Sequence, residues 1–271
     1  MKNKIKILLL ILSLCIVTVL STLIVIAFTN EDKNITHYEY VDLYNANISY
    51  FNMDSDFYTC VFDGYNESIG VDLSEFNGDV NFIKLKEQGI EYAYLRIGWR
   101  GYITPDIHID KRFEEYYEKA KDAGIDIGIY FFSQAINETE AIEEANFVIN
   151  MLKDKPINTY IAFDFETIED KHARTNNLTR IERTKIAKAF LDTISNANYK
   201  PMLYTNYDWI LHHYTASILR EYPVWYAQYS KKPQYKGHHL IWQYATNVKI
   251  DGISSNEGVD LNIMLKKEET N

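Results

Sequence analysis

From residue 69 onward, short apolar strands alternate with amphipathic helices, and this alternation limits the possible folds more than any other feature of the chain. Residues 69–73 read as a first strand, and 81–88 as a short helix stopped by Gly89. A second strand covers 92–97. The helix over 110–123 puts Phe113, Tyr117 and Ala120 on one face and has Gly124 just past its end. A third strand covers 126–132. Asn137, with Glu140 three residues on, is a capping pair that opens a helix to about residue 152. After a fourth strand over 159–165, Thr179 with Glu182 opens another helix to about 196. Strands then follow closely at 201–205, 223–228, 240–244 and 258–261. Eight strands interleaved with helices predict an α/β fold, a parallel sheet closed into a TIM-like (β/α) barrel over 69–266. Because helices thin out toward the C-terminal third, the barrel is expected to be irregular, with fewer helices than strands.

The N-terminus carries a different signal. Lys2, Lys4 and Lys6 precede an uncharged apolar run over 7–28. At about 1.5 Å per helical residue, that run crosses a hydrocarbon core of roughly 30 Å. No small-x-small exit follows it, so residues 1–29 read as a basic cytoplasmic stub and a retained transmembrane signal anchor, with the bulk of the chain outside. Cleavage to a secreted form is the alternative. Residues 30–68, rich in Asn, Asp and Tyr, read as a spacer. Cys15 lies in the apolar run, which leaves Cys60 without an intramolecular partner, so the external domain must hold together by packing alone.

The formal net charge is −10, and the rest is more acidic still once the three N-terminal lysines are set aside. Such a balance argues against nucleic acid as a partner. It also gives no electrostatic steering toward an anionic surface. Binding to one would depend on shape, hydrogen bonds and aromatic stacking.

The strongest chemical motif is Phe163-Asp164-Phe165-Glu166, at the end of an apolar strand. Side chains alternate across a strand, so Asp164 and Glu166 share a face, with Cα atoms roughly 6.6 Å apart at about 3.3 Å per residue. Carboxyls this close discourage each other's ionisation, and one of them can then stay protonated near neutral pH. Protonating a glycosidic oxygen requires such a group. An isolated Asp-x-Glu is equally what a surface turn after a strand looks like. Asp72 and Asp260, at the ends of the first and last strands, shift that balance, because in a closed barrel all four acids would face one mouth.

Several further blocks make the pattern specific. They are Gly70-Val71-Asp72-Leu73-Ser74 with Asn77-Gly78, Tyr94-Leu95-Arg96-Ile97-Gly98, and Gly128-Ile129-Tyr130-Phe131-Phe132-Ser133. With them come Tyr204-Thr205, Val224-Trp225-Tyr226-Ala227-Gln228-Tyr229, Trp242-Gln243-Tyr244 and Val259-Asp260-Leu261-Asn262. Together with the Asp-x-Glu strand, and in this order from Ile69 to about Met264, they resemble the glycoside hydrolase family 25 lysozymes. The resemblance covers neither the anchor nor the spacer. It implies an irregular (β/α) barrel that cleaves the β-1,4 bond between N-acetylmuramic acid and N-acetylglucosamine in peptidoglycan, without a metal or other cofactor. By position, Glu166 would be the general acid and Asp164 would orient the substrate's N-acetyl group. Attack by that group and attack by a carboxylate nucleophile both remain open. Asp72 and Asp260 would complete the acidic pocket, with Arg96 and Tyr130 as further contacts. The resemblance also has departures: Phe131-Phe132 and Trp99-Arg100 differ from many relatives and could alter substrate subsites.

Twenty-two Tyr and four Trp invite a sugar-stacking reading for Trp225, Tyr229, Trp242 and Tyr244 at late strand ends, with Tyr204 and Gln228 as further substrate-binding candidates, although about half of these rings must also fill core. The doublets His212-His213 and His238-His239 would chelate poorly, since adjacent strand residues face opposite ways. The expectation is a muramidase on the bacterial cell membrane whose partners are peptidoglycan glycan strands and the bilayer. Such a tether would suit local wall remodelling, or opening the wall for a secretion or conjugation apparatus. A peptidoglycan-binding module without catalysis and a metal-dependent wall hydrolase are the alternatives.

Overall fold

The computed structural model describes residues 65–230 and 232–267. The expected anchor and all but the last four residues of the expected spacer lie outside them, as do both cysteines. Among the described residues, no helix is long and apolar enough to cross a membrane.

Nine strands form one sheet: β1 (Tyr65–Leu73), β2 (Ile90–Arg100), β3 (Ile107–Ile109), β4 (Asp126–Ser133), β5 (Ile161–Phe165), β6 (Pro201–Asn206), β7 (Val224–Ala227), β8 (Ile241–Val248) and β9 (Val259–Lys267). The order β1-β9-β8-β7-β6-β5-β4-β2 closes on itself through a parallel β1–β2 pairing, which makes an eight-stranded barrel. β3 is an added edge, a hairpin partner of Gly98–Arg100 at the end of β2. The expected barrel is therefore present, with two differences. β1 starts at Tyr65, four residues before the expected boundary, because it runs antiparallel along β9 as far as Lys267. The sheet is also not wholly parallel, since β9 is antiparallel to both β8 and β1. The connection over 249–258 carries no helix, and a parallel crossover needs about a dozen residues or more, so this segment can only turn back.

Helices α1 (Phe82–Glu87), α2 (Phe113–Asp122), α3 (Glu138–Met151) and α4 (Arg180–Asn196) fall where the sequence placed them. Their starts follow the capping residues. Asn81 accepts from the Lys84 amide and Asn137 from the Glu140 amide. Thr179 and Glu182 cap each other's backbone. Two short helices, α5 (Tyr207–His212) and α6 (Ile218–Glu221), have too few turns to leave a period in the sequence.

The strand period of two sorts side chains between two cores. Val71, Leu95, Ile129, Phe163, Leu203, Val224 and Leu261 face the helices in the outer core. Tyr92, Tyr94, Ala162, Met202, Tyr204 and Trp225 fill the barrel itself. Each fully buried large side chain of this kind contributes about 1.5–3 kcal/mol relative to exposure. The two interior tyrosines lie over glycines: a Cβ on Gly70 would come within 2.2 Å of the Tyr92 ring, and one on Gly128 within 2.6 Å of Tyr94. With this floor filled, the polar interior residues nearer the C-terminal ends of the parallel strands, and the N-terminal end of antiparallel β9, are left to line a mouth.

Candidate active site

A cleft of about 350 Å³ opens at that mouth, and Asp72, Asp164, Glu166 and Asp260 all line it. Asp72 lies directly across from Asp260 in the β1–β9 register. Asp164 is on β5, and Glu166 follows its last residue. The interior parity of Gly70, Ala162 and Met264 continues to Asp72, Asp164 and Asp260, so the four acids converge because they occupy one face of three strands.

Burial sets the electrostatics. All four carboxyls sit above their ordinary values, and desolvation is the largest cause in each. Asp72 is pushed up to about 8 by burial and then by the charge of Asp260, against the opposing hydrogen bonds from Asn262 and Gln243. Asp164 is held well above the usual carboxylate range by burial and by the charges of Glu166 and Asp72. Asp164 and Glu166 stand side by side, so their carboxyls titrate as a pair. The Asp164 Oδ1 atom is buried without a hydrogen-bond partner. Asp260 is raised by burial, less so because Thr246 and the Asn247 amide donate to it.

Arg96 lines the cleft and is fixed from three sides. Its Nε donates to Asp110 at 2.8 Å, its Nη2 lies 3.4 Å from Glu75, and its guanidinium sits between the rings of Phe76 and Trp99 at 4.9 and 4.8 Å. Its charge opposes the upward shift of Asp164. Tyr130, Tyr204 and Trp225 also line the cleft. Behind Glu166, the fully buried Gln134 donates to the Glu166 carbonyl at 3.1 Å and accepts from Thr175 at 3.1 Å.

Three expected contacts are corrected. Trp242 and Tyr244 belong to the outer core, and the Trp242 indole donates to the Gln228 carbonyl at 2.9 Å. The Gln228 side chain accepts from Tyr226 and from the Gln234 amide, and it does not line the cleft. The parity of β8 is the reason: Gln243 is the residue that faces the interior. Arg100, considered for its effect on subsites, is buried against α3, with Nε 2.7 Å from Glu144. Tyr229 lines the cleft, whereas sequence reasoning missed Gln243, Asn262, Phe76 and Thr246 as cleft or supporting residues. Gln243 and Asn262 stood inside recognised motifs, but nothing in the motifs alone showed which way they point.

Among the described residues, no three His, Cys, Asp or Glu side chains are arranged to hold a metal ion.

Comparison with known proteins places this architecture. The model of glycosyl hydrolases family 25 matches residues 71–253, more than half of the chain. The chain belongs to glycosyl hydrolase family 25. The family 25 match stops short of β9, so Asp260 and Asn262 enter the site through the strand pairing described above. An autolytic lysozyme of Clostridium acetobutylicum is 24% identical over 193 residues, 70% of this chain and 54% of the relative. The chain therefore spans about half the length of that curated relative. Among solved structures, a spore cortex lytic enzyme of Clostridium perfringens aligns with a TM-score of 0.63 and 27% identity, covering 73% of this chain and 67% of the other. A family 25 glycosyl hydrolase of Bacillus anthracis aligns with a TM-score of 0.59 at 21% identity, covering 80% of this chain and 96% of the other, a likeness of fold.

Proposed function

We propose that this family 25 chain is a peptidoglycan muramidase that hydrolyses the β-1,4 bond between N-acetylmuramic acid and N-acetylglucosamine. The observation that carries this reading is the convergence of four carboxyls, Asp164 buried and the other three half-buried, all held above their ordinary values, on one cleft at a barrel mouth. A lytic activity toward cell wall is also what the names of the autolytic lysozyme and the spore cortex lytic enzyme describe for those relatives.

In this reading Glu166 is the general acid. Burial holds its carboxyl above the ordinary value, which favours the protonated form that a general acid needs. As the leaving oxygen takes the proton, the Glu166 carboxylate remains, and it can then deprotonate the incoming water. Asp164 orients the group that attacks the anomeric carbon. Whether that group is the substrate's acetamido oxygen or a carboxylate is decided by trapping: a glycosyl-enzyme adduct identifies the carboxylate route.

The apolar run over 7–28 supports a membrane tether, and Lys2, Lys4 and Lys6 before it support an external domain acting on nearby wall, for remodelling or for passage of a secretion or conjugation apparatus. Membrane fractionation and external protease digestion of cells test this placement; recovery of the chain from the medium would replace it with secretion.

The activity test is the full chain on isolated peptidoglycan, following new reducing ends and identifying the terminal sugar by mass spectrometry. Reducing-end muramic acid from wild type supports the muramidase. Retained wall binding without new ends would favour the binding module, and loss of activity in a chelator would favour a metal-dependent hydrolase.

A further inference from the structure

Two amide side chains from neighbouring strands meet at one oxygen of Asp72. Asn262 on β9 donates through Nδ2 to Asp72 Oδ2 at 2.7 Å, and Gln243 on β8 donates through Nε2 to the same oxygen at 2.9 Å. The orientation of each amide is set by its other end. The Trp225 indole N–H, which can only donate, lies 2.7 Å from Asn262 Oδ1. The hydroxyls of Tyr204 and Tyr229 donate to Gln243 Oε1 at 2.9 and 3.0 Å. A reversed Gln243 amide would set its carbonyl against Asp72 and against Asp260, whose Oδ2 is 3.5 Å from Nε2. Asn262, Gln243 and Trp225 are all buried, so the arrangement is held by packing as well as by hydrogen bonds.

We propose that Gln243 and Asn262 are positioning residues that clamp Oδ2 of Asp72 and present the carboxyl to the glycan through Oδ1. This rests on the muramidase reading and adds two residues to it. An oxygen that accepts from two N–H groups remains an acceptor in either protonation state, so a proton on Asp72 resides on Oδ1. The titratable groups around Asp72 are Asp260 on β9, Asp164 and Glu166 at the end of β5, Tyr92 on β2, Tyr130 on β4, Tyr204 on β6 and Tyr229 beyond β7. Burial and the charge of Asp260 raise Asp72, which favours the protonated acid, and its proton then sits on Oδ1 as an O–H donor toward the sugar. Trp225, Tyr204 and Tyr229 orient the amides, and the amides orient the acid.

The experiment compares the full chain with Asn262→Leu and Gln243→Met. The readouts are carboxyl ¹³C NMR titration of Asp72 (assigned through Asp72→Asn), the pH profile of reducing-end release, and thermal unfolding. Each substitution removes an N–H that favours the ionised acid, so the Asp72 titration and the alkaline limb of the profile should move up by about one to two pH units. Turnover at pH 7 should fall about tenfold or more while the fold is kept. If the titration and the alkaline limb stay at their wild-type positions in the folded variants, and activity falls only with Tm, the clamp is structural and the proposal is overturned. Should Asn262→Leu fail to fold, Gln243→Met gives the same reading at the second amide. A folded wild type that releases no reducing ends would remove the muramidase reading, yet the NMR titration would still decide whether the amides set Asp72.

Discussion

At the scale of single residues, Glu166 and Asp72 face one cleft under different constraints. Glu166 stands just past the end of β5 beside Asp164, whereas Asp72 is held by two side-chain amides. Replacing Glu166 by Gln keeps the volume and removes the transferable proton. Reducing-end release should drop by about 10²–10⁴-fold while sedimentation with insoluble wall is unchanged. Asp72 leads to a prediction about stability. A carboxyl held above its ordinary value binds its proton more tightly in the folded chain than in the unfolded one. Its contribution to stability is therefore full below about pH 3.8 and is lost as pH rises toward about 8. Asp72→Asn should raise Tm at pH 8, show little gain near pH 4, and abolish activity, as paired melting and activity curves would show.

At the scale of elements, the chain combines well-capped helices with an interior ion pair. Thr179 caps α4, and Thr179→Ala should lower stability by about 1 kcal/mol in urea unfolding with turnover unaffected. Arg100, at the end of β2, reaches across to α3 and meets Glu144 at 2.7 Å, while Ser133 donates to the other Glu144 oxygen at 2.6 Å. Burial still raises Glu144 to about 7 despite these partners. Arg100→Leu would leave that acid buried without its cation and should cost about 3–5 kcal/mol in urea unfolding, far more than a surface pair would. The helices that the sequence revealed are those with at least a turn and a half of apolar period, three of them opened by a capping side chain. α5 and α6 have neither the length nor an unambiguous pattern, and β3 is three residues long, so all three depend on what they pack against.

At the scale of the whole molecule, closure and charge dominate. β9 joins β8 to β1 and brings Asp260 opposite Asp72, so the acidic mouth exists only once the barrel is closed. With a formal net charge of −10, the chain meets an anionic wall against repulsion. Initial rates on whole wall at low ionic strength should therefore rise severalfold as salt is raised toward about 0.15 M, whereas a neutral soluble glycan fragment should show no such rise. By itself the sequence determined the barrel class, the eight barrel strands, the four main helices and the four carboxyls, because strand period, caps and strand-end acids are local patterns that survive without tertiary context. Only the tertiary structure decided the direction of β9, the inward face of β8 and the partners of Asp72. A strand's parity fixes which residues share a face but not which face meets the interior, and that choice is made when the sheet closes and fills its floor.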